Sequence, residues 1–145
     1  MSDPLNALDH TANAEAQPAW TMWLILFVRV MAGVSMIKGL YHWSAVCGFG
    51  DRPDSSFDTS PVSWQAATIF FAVIDLVAAV GLWLAAAWGG VVWLTAAISM
   101  AAVEVFFPQI YGGRAWVIAA EVAAILIYLG LSLGATRERP DELLV

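Results

Sequence analysis

Residues 64–107 read WQAATIFFAVIDLVAAVGLWLAAAWGGVVWLTAAISMAAVEVFF, a run of 44 residues that is uncharged apart from Asp75 and Glu104. One helix of that length would reach about 66 Å at 1.5 Å per residue, against about 30 Å of bilayer hydrocarbon. The run must therefore double back, and Gly89-Gly90 beside Trp88 supplies the sequence signal for a turn. It predicts a membrane hairpin of two helices, over 64–87 and 90–107.

Outward from that hairpin, residues 20–43 and 114–134 form two more apolar segments long enough to span. The stretch 44–63 between the first two helices holds Gly48, Gly50, Asp51, Arg52, Pro53, Asp54, Asp58 and Pro61, so it reads as an extramembrane loop. Pro108, Gly112 and Gly113 make a shorter one. Residues 1–19, with Asp3, Asp9 and Glu15, read as a flexible acidic tail, and 135–145 as a charged C-terminal tail. The runs are continuous, not alternating in polarity, which favours helices over a barrel. The expectation is one domain: an all-α integral membrane protein, a four-transmembrane-helix bundle.

Composition agrees. Of 145 residues, 61% are hydrophobic and 12% charged, too little polar surface to cover a water-soluble globule. Six of the eight tryptophans (Trp20, Trp23, Trp43, Trp64, Trp88 and Trp116) stand at the ends of apolar runs, where the aromatic belts of a bilayer lie. A net charge of −6 with no basic patch argues against nucleic acid as a partner. The lone Cys47 excludes an intrachain disulfide. The first 19 residues contain no Lys or Arg, so the first helix reads as retained, not as a cleaved signal. Arg137 and Arg139 on one side balance Arg52 and Arg114 on the other. With that tie, the arginines of the short C-terminal tail favour both termini inside the cell.

Each predicted helix carries a charge: Arg29 and Lys38 on the first, Asp75, Glu104 and Glu121 on the other three. Charges in hydrocarbon are costly and should pair, snorkel or face the bundle interior. Arg29 and Asp75, nine and eleven residues into their helices, fall near the midplane and are expected to pair as a charged pair or relay. Lys38, His42, Glu104 and Glu121 are expected nearer the face carrying the first and third loops, as a second cluster. Arg29 and Lys38 lie about 180° apart on an ideal helix, so both cannot face one interior line, and Lys38 is expected to snorkel. Gly81, Ala85 and Gly89 have the spacing of helix packing. Such charges can equally be structural pairs that fix helix register.

No Ser/His/Asp set, CxxC, HExxH or phosphate-binding glycine loop is present, so no catalytic residue, metal or cofactor is expected. Haem held by two histidines is disfavoured, because His42 has only His10, in the tail, as a possible mate.

The stretch Phe71–Leu84 (FAVIDLVAAVGLWL), followed by Trp88–Leu94 (WGGVVWL) and Phe107-Pro108, resembles an uncharacterised family of small four-helix inner-membrane proteins of alphaproteobacteria. The order Arg29, Gly33, Lys38, Gly39 is similar to the first helix of DoxX-like families, with a different spacing. The first resemblance implies a fold and a bacterial inner-membrane location, and no activity. The expected function is that of a non-enzymatic accessory or assembly subunit, packed in the lipid bilayer against a larger membrane complex or as a homo-oligomer. The alternative is a small proton-coupled or solute transporter using Arg29, Asp75 and Glu121. A membrane-bound oxidoreductase subunit is a third possibility, and it lacks cofactor ligands.

Overall fold

The structure, a computed structural model, describes residues 19–49, 57–112 and 114–137. The expected N-terminal tail up to residue 18, the centre of the first loop and the last eight residues of the C-terminal tail lie outside the described residues.

The element order is α1 (Ala19–Val46), a 3-10 turn at Phe57–Thr59, α2 (Val62–Trp83), α3 (Ala87–Phe106), a single turn α4 (Pro108–Tyr111) and α5 (Ala115–Arg137). The four longer helices are each long and apolar enough to cross a membrane. α1 packs on α2, α2 on α3 and α3 on α5, and α5 closes back onto α1. The result is a four-helix bundle with α4 laid across the end where α3 gives way to α5.

The α2–α3 hairpin exists, but its turn is not the glycine pair. α2 stops at Trp83, and Ala85 takes the left-handed conformation at φ 51°. The Ala86 N–H donates to the Gly81 carbonyl at 3.0 Å and the Ala85 N–H to the Leu82 carbonyl at 2.9 Å. That is a Schellman ending with alanine where glycine is usual. α1 ends the same way at Gly48, φ 74°, with Phe49 N–H donating to the Ser44 carbonyl at 2.9 Å. Gly89 and Gly90 lie inside α3 and are buried there. A Cβ on Gly89 would run into the Gly81 backbone, and one on Gly90 would come within 2.6 Å of the Tyr128 hydroxyl. The pair is spent on close helix approach, α3 to α2 and α3 to α5. Gly81 and Gly89 thus meet across the hairpin, whereas Ala85 belongs to the turn and packs no helix against another.

The bundle divides into two halves. Toward the α2–α3 turn, Ala32, Ala78, Leu82 and Trp93 form a buried apolar cluster. The Trp93 ring sits 6.1 Å from that of Phe27 and 5.5 Å from that of Tyr128, both edge-on. Toward the opposite end, the buried positions are Ser35, His42, Thr68, Asp75, Glu104 and Glu121. Toward the first half, the Thr21 hydroxyl near the start of α1 is also buried, without a hydrogen-bond partner.

Candidate functional site

On α1 the buried positions Ala32, Ser35, Gly39 and His42 form a stripe against α2. Lys38 lies about 80° to one side of that stripe and Arg29 about 100° to the other, at 100° per residue. α5 packs on the flank that carries Lys38. The flank that carries Arg29 faces outward, and Arg29 is exposed. The expected Arg29–Asp75 pair therefore does not form. Lys38 takes the inward place, and it does not snorkel away.

Lys38 Nζ donates to Glu121 Oε1 at 2.6 Å and stands 3.8 Å from Asp75 Oδ1. Among the described residues these are the two ion pairs, and both belong to this one lysine. The Asp75 side chain is 1% exposed, and neither of its oxygens accepts a hydrogen bond within the chain. Glu121 is the buried residue of α5. One cation thus joins α1, α2 and α5 through two carboxylates.

One turn beyond Lys38, the His42 ring is buried 5.7 Å from that of Phe71 and 5.9 Å from that of Tyr111. The Tyr111 hydroxyl and Thr68 Oγ1 share a hydrogen bond of 3.2 Å. Burial raises the Tyr111 hydroxyl above its ordinary pKa. Glu104, near the end of α3, accepts the Arg114 backbone N–H at 2.9 Å. Arg114 in turn receives the first amide bonds of α5, from Val117 at 2.9 Å and Ile118 at 3.4 Å. A carboxylate from another helix therefore sits at the positive end of α5.

These side chains surround a cavity of about 670 Å³. Lys38, His42, Glu104, Tyr111 and Glu121 supply its polar wall, and Arg114 stands at its edge. Ile37 and Tyr41 of α1 and Trp116 and Ala120 of α5 also line it, and all four are exposed, so the cavity opens sideways between α1 and α5. Asp75 lies behind Lys38 and outside the lining. A second cavity of about 400 Å³, between α1 and α2, is lined by apolar side chains alone and offers nothing to orient a ligand.

The structure thus brings Lys38, His42, Glu104 and Glu121 onto one cavity, adds Asp75 behind them, and leaves Arg29 outside. Sequence reasoning missed Thr68, Tyr111, Trp64 and Tyr41. Thr68 and Trp64 share a face of α2 with Asp75, at spacings of seven and eleven, which was a readable signal. Tyr111 gave none, because its position depends on how the turn α4 crosses the bundle end. Among the described residues no three His, Cys, Asp or Glu side chains gather as a metal site.

A family model described as "Family of unknown function (DUF6163)" matches residues 22–139, and the chain belongs to that family. The match takes in all four long helices. No curated protein and no solved structure matches the chain.

Proposed function

We propose that this member of a family without an assigned activity is a non-enzymatic, membrane-embedded binding protein or carrier for a small solute, held in the cavity between α1 and α5. One observation carries the reading: the buried polar residues His42, Thr68, Glu104 and Glu121, from four helices, converge on a single cavity of about 670 Å³, with an ion-paired lysine in its wall. That size lies in the range of small-molecule sites, about 300–1,000 Å³, and a few placed polar groups in an otherwise apolar lining are their usual chemistry. The transporter that the sequence offered as the alternative to an accessory subunit keeps Asp75 and Glu121 in this reading and exchanges Arg29 for Lys38.

A solute that binds the folded protein raises its unfolding temperature. The test is a thermal-unfolding screen of the full chain in lipid nanodiscs against small cationic, anionic and neutral solutes, run beside Ala120→Trp, which fills the cavity from α5. At least one class should stabilise the wild type and not the filled variant. A blank screen, or shifts that survive the filling, defeats the reading.

The accessory-subunit reading keeps one observation in its favour. Arg29 stands on the outward flank of α1, where a charge against lipid is costly and a partner's carboxylate would offset it. Purification of the protein from native bacterial inner membranes in mild detergent tests it: a partner that is lost on Arg29→Leu supports the subunit role, and a lone species removes it.

A further inference from the structure

The charges around the cavity do not balance. Lys38 and Arg114 supply two positive groups, against the carboxylates of Glu104 and Glu121 in the lining and Asp75 behind Lys38. Lys38 is shared between two carboxylates and fully matched to neither, at 2.6 Å from Glu121 and 3.8 Å from Asp75. Asp75 is buried, accepts no hydrogen bond, and has Lys38 at 3.8 Å as its cation. In a medium of low dielectric an excess negative charge favours a cation that brings its own positive charge.

The rest of the wall suits a cation that is organic. Tyr41, Trp64, Tyr111 and Trp116 all line the cavity, and aromatic rings attract cations, most strongly where water is excluded. The sideways opening between α1 and α5 is bordered by exposed apolar and aromatic side chains. An entrant along that path must be soluble in lipid as well as charged. We infer that the solute held between α1 and α5 is a lipophilic organic monocation, an ammonium or phosphonium carried on an apolar body, with its charge facing the Glu121/Lys38/Asp75 cluster and its body against the aromatic wall.

This inference rests on the binding reading above, so its test must fail separately. The probes are tetraphenylphosphonium and tetraphenylborate, two ions of nearly the same size and shape and opposite charge. Each is titrated by calorimetry into the full chain in nanodiscs, with the heat of empty nanodiscs subtracted. The phosphonium should bind once per chain, and the borate at least tenfold more weakly. Asp75→Asn keeps the Lys38–Glu121 pair and removes the excess charge, so it should weaken the phosphonium at least tenfold. Should that variant not fold, Glu121→Gln makes the same change of charge from α5 and should weaken it as much. Borate binding equal to or tighter than phosphonium binding overturns the cationic assignment and leaves a binding protein for another solute. Phosphonium binding unchanged in both carboxylate variants also overturns it. Neither ion binding overturns it too, and the binding reading falls with it only if the solute screen is blank.

Discussion

Replacing Lys38 by methionine keeps the length and apolar stem of the side chain and deletes one charge. Two carboxylates are then left facing each other across the gap the ammonium filled, and one of them, Asp75, is 1% exposed with no hydrogen bond to fall back on. Removing one partner of a buried ion pair costs about 3–5 kcal/mol, and the 27% exposure of Lys38 places this case near the lower end, about 3 kcal/mol. The cost lies in the orphaned charges, not in the lost attraction. The triple variant Lys38→Met, Asp75→Asn, Glu121→Gln should therefore recover most of it, within about 1 kcal/mol of wild type, because deleting all members of a polar set is far milder than deleting one. The assay is unfolding in mixed micelles at increasing denaturing-detergent fraction, followed by tryptophan fluorescence. Arg29→Met, on the outward flank, serves as the control and should unfold no earlier than the wild type, since it removes a charge from lipid without orphaning a partner. A Lys38→Met variant as stable as wild type, or a triple variant worse than the single, would refute the assignment of Lys38 as the shared cation.

Gly89→Ala should destabilise the α2–α3 hairpin by about 1–3 kcal/mol, since the added Cβ meets the Gly81 backbone and no side chain can move aside; Gly90→Ala should cost less, because only the Tyr128 hydroxyl must swing away. Both are read in the same unfolding assay. Ala85→Gly should stabilise by up to about 1 kcal/mol, as the left-handed conformation at φ 51° ceases to be strained, and Ala85→Val should destabilise. Glu104→Gln should cost about 0.3–1 kcal/mol, the usual worth of a charge at a helix N-terminus, and should speed hydrogen exchange at Val117 and Ile118. Cys47, the chain's one cysteine, is exposed in the turn after α1 and reports the topology: were both termini inside the cell, as the arginine count favours, a membrane-impermeant maleimide would label it on intact spheroplasts. Labelling only in inverted vesicles reverses the topology.

The spans were legible because length and hydropathy are properties of one segment at a time. A run of 44 residues must turn, whatever the rest of the chain does. The place of the turn was not legible, because glycine signals both a bend and a close approach. Gly89 and Gly90 looked like the first and serve the second, while Ala85, a residue with no turn signal, bends the chain. The gathering of Lys38, His42, Glu104 and Glu121 at one end followed from counting residues along each helix. The choice between Lys38 and Arg29 did not, because the two lie on opposite flanks of α1, and only the position of α5 decides which flank is interior. That position is a property of the whole bundle.

The same geometry explains why α5 depends so heavily on its one buried carboxylate. Lipid tails are as apolar as leucine, so an apolar helix face gains little from leaving lipid for protein, and polar contacts and close packing must fix its place. α5 has its aromatic contacts through Tyr128 near the α2–α3 turn and the Lys38–Glu121 pair toward the other end. Between α1 and the first turns of α5, ahead of Glu121, the side opening of the cavity takes the place of packed side chains. A cation entering there would compete with the very lysine that anchors α5 for the Glu121 carboxylate. Binding and the position of this helix are therefore two readings of one ion pair, and they separate in Asp75→Asn. That variant keeps α5 anchored through Lys38 and Glu121 and alters the charge the solute meets. A stable Asp75→Asn bundle with weakened cation binding assigns the carboxylate to the solute. A loosened bundle assigns it to the fold.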